Sequence, residues 1–249
     1  ALMTEWIQGK IVENIHWTEN LFTLRIEADI KPYKAGQFTS LALDIDGERI
    51  ARPYSHLSAP HQRPLEYFFY TATDGVLSNA LVQLDVGDSV WVKDQSNGFF
   101  VLDEIPDCKD LWMLGTGTGI APFLSILHTD EAWQRFENIV LVYAVRSESD
   151  LRYLDTIESL KKTYGDRFRF QAFVSREQVA GTLHGRIPAA IEDDRLQEAI
   201  GLPLSTDRSH FMLCGNPDMV KDVTDLLKTR DFRKNRRRTP GHITTENYW

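Results

Sequence analysis

Residues 111–122 constrain the fold most. Leu111-Trp112-Met113-Leu114 is a short apolar run that breaks into Gly115-Thr116-Gly117-Thr118-Gly119, and a helical pattern follows from Pro122. An apolar run that ends in glycines and turns into a helix opens a strand–loop–helix unit, which needs a covered parallel sheet to bury it. The rest of the chain keeps this alternation. Asn138–Val145 (NIVLVYAV) is a continuous apolar strand, Asp150 is placed to cap a helix running to about Tyr164, and Phe168–Val174 is another strand. Residues 187–200 read as helix, 210–214 as strand, and 217–229 as a helix opened by proline. The expectation is a parallel sheet with helices on both faces.

The first hundred residues follow a different rule. In Leu21–Glu27, Phe22, Leu24 and Ile26 alternate with Thr23, Arg25 and Glu27. Residues 37–45 and 65–71 are further strand candidates, punctuated by the turns Ala35-Gly36, Asp46-Gly47, Asp74-Gly75 and Gly87-Asp88. Short strands at this spacing indicate an antiparallel barrel or sandwich, with one short helix near 78–84. The grammar changes near 103–110. A chain of 249 residues has room for two domains, expected at 1–105 and 106–249.

Composition narrows the function classes. Two distant cysteines, Cys108 and Cys214, exclude a cysteine-ligated iron–sulfur cluster and argue against a disulfide scaffold. No metal site is expected. No run approaches the length of a membrane span. The opening residues lack a basic region followed by an apolar stretch, so a reducing, cytoplasmic setting is expected. The net charge of −8 argues against general nucleic-acid binding. Residues 228–238 nevertheless hold seven basic side chains against one acid, either a solvated loop or a docking patch for an acidic partner.

Four stretches carry chemistry. In the glycine loop, the backbone can approach a ligand closely and a helix N-terminus offers free N–H groups to a pyrophosphate. Its spacing is neither G-x-G-x-x-G nor a P-loop, and a plain strand-to-helix turn would use the same residues. At later strand ends stand Arg146, Ser175-Arg176 and then Arg186. Guanidinium and hydroxyl groups there suit the 2′-phosphate of NADP, whereas an acid would suit NAD. Cys214-Gly215-Asn216-Pro217 puts a thiol at another strand end, as a core residue or against a reacting ring; no histidine partner marks it as a nucleophile. In Arg52-Pro53-Tyr54-Ser55 an arginine suits phosphate, a tyrosine a flat ring and a serine a ring nitrogen.

Together these motifs resemble the ferredoxin/flavodoxin–NADP reductase family, in its bacterial branch whose members end in Tyr-Trp. The resemblance runs through Ala35-Gly36-Gln37-Phe38, Arg52 to Ser55, residues 115–122, Ser175-Arg176 with Gly185-Arg186-Ile187-Pro188, Cys214 to Pro217, and Tyr248-Trp249. It implies an N-terminal antiparallel flavin-binding β-barrel and a C-terminal parallel-sheet NADP-binding domain, with non-covalent FAD between them. It implies FAD contacts from Arg52, Pro53, Tyr54, Ser55, Phe68, Phe69, Tyr70, Thr71, Val76, Leu77, Ser78, Thr118, Tyr248 and Trp249. For NADP it implies Thr118, Arg146, Ser175, Arg176, Arg186, Cys214, Gly215, Asn216, Pro217 and Asp218. Ser55, Cys214 and Tyr248 then stand at the reacting rings, and Pro53 and His56 flank the flavin motif.

The activity so implied is hydride exchange between NADPH and flavin, with single electrons passed to or from ferredoxin or flavodoxin by a monomer. A related flavin reductase or oxygenase-reductase component is the nearest alternative. A non-catalytic redox-sensing flavoprotein is the alternative of another class.

Overall fold

The computed structural model describes residues 4–247. The chain divides into two compact units. One takes the residues up to Val101 together with Leu124–Thr129; the other takes Leu102–Phe123 and the chain from Asp130 onward.

The first unit is a six-stranded antiparallel sheet. Its strands are β1 (Trp6–His16), β2 (Leu21–Glu27), β3 (Phe38–Ile45), β4 (Glu48–Ser55), β5 (Leu65–Tyr70) and β6 (Ser89–Lys93), in the order β4-β3-β6-β1-β2-β5. Just past β4, the Leu57 N–H donates to Glu66 O of β5 at 2.9 Å. The two edge strands meet there, so the sheet curls into a barrel. Alternating positions of β1, β2, β3, β5 and β6 fill the interior: Ile11, Leu24, Ile26, Leu41, Leu65, Tyr67, Val90 and Val92 are all buried. Helix α1 (Val76–Leu81) adds Leu77 and Leu81 to the same core.

The second unit is a parallel sheet of β7 (Asp110–Thr116), β8 (Asn138–Val145), β9 (Phe168–Val174), β10 (Leu183–His184), β11 (Ser209–Gly215) and β12 (Ile243–Asn247), in the order β10-β9-β8-β7-β11-β12. Helices α2 (Ala121–Leu127), α3 (Asp130–Arg135), α4 (Leu154–Tyr164), α5 (Ile187–Glu192), α6 (Arg195–Ile200) and α7 (Pro217–Lys228) connect the strands. Trp112, Leu114, Val140, Val142, Phe211 and Leu213 form a core with α5 and α7 on one side of this sheet. Strands buried on both faces lose the alternation of half-exposed ones, which is why NIVLVYAV reads as one apolar run.

Three local expectations are corrected. Asp150 does not cap α4. The Tyr143 hydroxyl donates to Asp150 O and accepts from the Arg152 N–H, each at 3.2 Å, which ties residues 150–152 to β8. The helix therefore starts at Leu154, after Tyr153 in the left-handed region (φ 68°). Residues 187–200 form two helices rather than one. Asp194 is left-handed (φ 67°), and the Asp193 carboxylate accepts from the Arg195 N–H at 3.2 Å. The helix expected at 78–84 is α1, two residues earlier. Proline does open α7, and Asn216 caps it by accepting from the Asp218 N–H at 2.8 Å.

Candidate functional site

From β7 the sheet grows one way through β8, β9 and β10 and the other way through β11 and β12. The strand order switches direction between β7 and β11, and ligands of such sheets bind outside the carboxyl ends at that point. Two expected loops flank the switch. Gly115-Thr116 ends β7 and leads into a 3₁₀ turn over Gly117–Ile120; Cys214-Gly215 ends β11 and leads into α7.

The glycines there are required by space. A Cβ on Gly119 would lie 2.7 Å from Cys214 O and 2.8 Å from Gly215 Cα. Gly215 has φ +136°, and a Cβ there would fall on the Thr116 hydroxyl. The Asn216 N–H donates to Thr116 Oγ1 at 2.8 Å, so the two loops are locked together across the switch. The cradle is bare backbone, which suits close approach of a flat ring or a phosphate chain. Thr118 lies within it, 2% exposed.

Cys214 pairs with Gly115 on one side and with Glu246 of β12 on the other. Its thiol is buried, and burial with the Glu246 carboxyl alongside pushes its pKa well above the ordinary value. Burial therefore favours the neutral form of the Cys214 thiol over the nucleophilic thiolate. Glu246 was not anticipated from sequence. Burial pushes its carboxyl up to about 7, and its Oε2 has no hydrogen-bond partner among the described residues. The only sequence signal is its place just ahead of the aromatic tail.

Arginines end the other strands. Arg146 follows β8, Ser175-Arg176 follows β9 and Gly185-Arg186 follows β10. The Ser175 N–H donates to Val145 O at 3.0 Å and the Arg176 N–H to Arg146 O at 2.9 Å, so the β8 and β9 ends are in register. The Arg146, Arg176 and Arg186 side chains are exposed and make no hydrogen bond or ion pair among the described residues. By contrast, Arg208 is held by Asp110 and Arg195 by Asp193. Three exposed guanidinium groups thus follow the carboxyl ends of neighbouring strands.

The basic run 228–238 is not part of this edge. Lys234 bridges to Ile243, the first residue of β12, and Arg236 and Thr239 exchange backbone hydrogen bonds of 3.1 and 3.0 Å. The run thus lies at the amino ends of the strands.

In the first unit, β4 carries Arg52, Pro53, Tyr54 and Ser55. Arg52 is exposed, and among the described residues its guanidinium donates only to Ala51 O, at 2.7 Å. The Tyr54 ring meets Phe69 edge-on with centroids 5.3 Å apart. Burial pushes its phenol up to about 12, so it stays neutral. Ser55 is 4% exposed, and its hydroxyl makes no hydrogen bond among the described residues.

Other expected contacts divide by side chain and main chain. The Phe69 and Leu77 side chains point into the barrel core. Phe68 is buried, whereas Tyr70, Thr71 and Val76 reach solvent. The Ser78 hydroxyl closes its own loop, accepting from the Ala72 N–H at 3.1 Å. Tyr248 and Trp249 lie outside the described residues. Among those described, no group of three or more His, Cys, Asp or Glu side chains could hold a metal, and no helix is long and apolar enough to cross a membrane.

Residues 10–99 match a family model described as an oxidoreductase FAD-binding domain, and residues 113–225 match one described as an oxidoreductase NAD-binding domain. The chain is 51% identical to a flavodoxin/ferredoxin–NADP reductase from Shigella flexneri, covering 99% of this chain and 100% of the relative. A flavodoxin/ferredoxin–NADP reductase from Escherichia coli (strain K12) is 50% identical with the same coverage. Among solved structures, a ferredoxin NADP+ reductase from Neisseria gonorrhoeae, crystallised with FAD and NADP, superposes with a TM-score of 0.93 at 34% identity, covering 98% of this chain and 99% of the other. The chain belongs to the flavodoxin/ferredoxin–NADP reductase family.

Proposed function

We propose that this chain is an FAD-dependent oxidoreductase that exchanges a hydride with NADPH and single electrons with a ferredoxin or flavodoxin. The observation that carries it is the end-to-end identity of 51% with a flavodoxin/ferredoxin–NADP reductase. Residues 1–105 hold FAD and residues 106–249 hold NADP. The flavin, when bound, supplies the step between two-electron and one-electron chemistry.

The chain's residues bind, orient and shield. Arg52, uncommitted to any carboxylate, supplies a forked cation to the pyrophosphate. Tyr54 and Tyr248 would pack on the flavin ring, with Tyr248 on the side that nicotinamide must reach, and Trp249 would stack on the adenine. Pro53, the backbone of residues 68–71 and residues 76–78 complete the FAD contacts. The Ser55 hydroxyl, without an internal partner, is available to a reacting ring nitrogen.

On the second unit, the cradle of Thr118 and residues 214–218 bounds the nicotinamide. Cys214, a neutral thiol, shapes that pocket without adding charge. Glu246 beside it exchanges its proton near neutral pH. Arg146, Ser175, Arg176 and Arg186 bind the 2′-phosphate, and three cations without carboxylate partners support that reading. The chain works as a cytoplasmic monomer and binds neither nucleic acid nor membrane.

The test is the visible spectrum of the purified protein before and after anaerobic NADPH, followed by addition of oxidised ferredoxin or flavodoxin. A flavin spectrum that bleaches with NADPH and returns on adding the carrier is expected. A colourless protein, or one that NADPH leaves unbleached, overturns the proposal. Arg176→Ala is expected to raise KM for NADPH and to narrow its preference over NADH. An unchanged preference removes the 2′-phosphate assignment.

A further inference from the structure

A buried polar cluster behind Tyr54 and Ser55 is not used by that reading. His56 follows Ser55 directly and is fully excluded from solvent. Its ring stacks on Tyr33, with centroids 3.8 Å and planes 16° apart. Its Nε2 lies 2.9 Å from the buried Ser96 hydroxyl. The stacking partner is itself held, since the Tyr33 hydroxyl lies 2.8 Å from Ser58 O and 2.9 Å from Ala59 O. On the other side Tyr67 sits with ring centroids 5.3 Å apart, and among the described residues both its hydroxyl and His56 Nδ1 lack a hydrogen-bond partner.

This is a costly way to fill a core. A buried polar atom left unpaired costs about 1–3 kcal/mol, and a phenyl ring would fill the stack without that cost. Burial keeps the imidazole neutral, with its pKa lowered to about 3. A neutral ring has one N–H, and with no acceptor at Nδ1 the proton belongs on Nε2, donated to Ser96. What the imidazole provides over a phenyl ring is direction. The stack fixes the plane of the ring, and the hydrogen bond to Ser96 fixes its rotation within that plane.

The main chain here is gripped as well. The His56 N–H donates to Gln37 O at 3.1 Å and the Leu57 N–H to Glu66 O at 2.9 Å. Ser55 Oγ has no such hold of its own. The direction of its Cα–Cβ bond is set by the backbone on either side, and His56 is the downstream side.

We propose that His56 is a positioning residue: clasped by Tyr33 and Ser96, it fixes the end of β4 and so the aim of the Ser55 hydroxyl. The proposal rests on the reading that Ser55 faces the reacting ring.

The test compares holoenzyme carrying H56L, H56Q, S96A, S55A and H56L/S55A. Misplacing a reacting group by about 1 Å costs up to about a hundredfold in rate, so H56L is expected to slow flavin reduction by NADPH on the order of tenfold. S96A is expected to slow it in the same direction. H56Q, whose amide can still donate to Ser96, is expected to recover most of the rate, with FAD dissociation constants within about threefold of wild type throughout. In the S55A background H56L is expected to add no further loss. A readout independent of turnover is the imidazole ¹⁵N spectrum, expected to show a neutral Nε2–H ring that loses this preference in S96A.

Wild-type rates in H56L and S96A overturn the proposal, as does a slowing by H56L that is undiminished in S55A. S55A at the wild-type rate removes the Ser55 reading and the proposal with it. S55A slow but uncoupled from His56 removes the proposal alone. If H56L does not fold, S96A and H56Q run in the same cycle.

Discussion

Glu246 shows what one residue's surroundings can do. In an unfolded chain its carboxyl titrates at about 4.5, and burial on β12 raises this to about 7. Between those values the folded protein holds a proton that the unfolded chain has lost. Stability from this group is therefore fully present below pH 4.5 and is lost as pH rises through 7. At 1.36 kcal/mol per pKa unit the loss is on the order of 3 kcal/mol. Glu246→Gln removes the titration, so it is expected to be more stable than wild type at pH 8 and about equal at pH 5. Urea midpoints across that range check it, and a difference that does not change with pH counts against it. Nothing local in Thr244-Thr245-Glu246 marks a buried acid; its burial follows from the pairing with Cys214, a neighbour 32 positions away. Arg52, Ser175, Arg176 and Gly215 could be singled out as candidates because their chemistry is intrinsic: a fixed charge, a hydroxyl, a missing Cβ. Cys214 was legible in place but open in role until its burial defined it as a neutral thiol.

At the scale of elements, legibility followed hydrophobic period. Strands β7, β8 and β11 are buried on both faces and announce themselves as apolar runs, while β9 interleaves the half-buried Arg169 and Gln171 with its apolar residues. The 11-residue β1 does not, because a bulge between Ile11 and Glu13 breaks its alternation. The two-residue β10 is too short for a period, and β12 carries Thr244, Thr245, Glu246 and Asn247. Helix boundaries shifted wherever a tertiary bond intervened, as the Tyr143 hydroxyl does ahead of α4. One such bond anchors the first strand of the second unit. Asp110 opens β7 with a fully buried carboxylate that accepts from Arg208 Nε at 3.1 Å and from Asn138 Nδ2 at 2.9 Å. Arg208 also reaches Glu137, which is 58% exposed. Removing one partner of a fully buried pair costs about 3–5 kcal/mol. Here Arg208 is partly exposed and keeps Glu137, so Asp110→Asn is expected to cost roughly 1–3 kcal/mol. Glu137→Gln breaks an exposed pair and is expected to cost under about 1 kcal/mol. Urea unfolding of both variants checks the order; an equal or reversed order shows that the buried carboxylate does not anchor β7.

Across the whole molecule, charge is separated from the candidate cofactor edge. The chain carries −8 overall while residues 228–238 hold seven basic side chains, so the remaining surface is strongly acidic. Lys234, Arg236 and Arg238 are exposed and make no ion pair or side-chain hydrogen bond among the described residues, while Arg237 binds Glu104 at 3.1 Å. The Asn235 side chain fixes their loop, donating to Glu104 O at 2.8 Å and to Thr244 Oγ1 at 3.1 Å and accepting from the Gly241 N–H at 3.0 Å. This patch lies at the amino ends of the strands, and the five residues of β12 carry the chain about 16 Å to the carboxyl edge. An acidic carrier drawn to it is not thereby placed at that edge. Charge at such a distance acts on encounter: it speeds association, and it is screened over a Debye length of about 8 Å at physiological salt. Reversal of Arg236 and Arg238 to Glu is therefore expected to slow ferredoxin or flavodoxin reduction severalfold at low ionic strength, and the deficit is expected to shrink as salt is added. The maximal rate at saturating carrier and the reduction of a small uncharged dye are expected to stay at wild-type values, because neither depends on how the carrier is drawn in. A loss that persists at high salt, or that appears equally with the dye, would show that these residues support the fold and do not steer a partner.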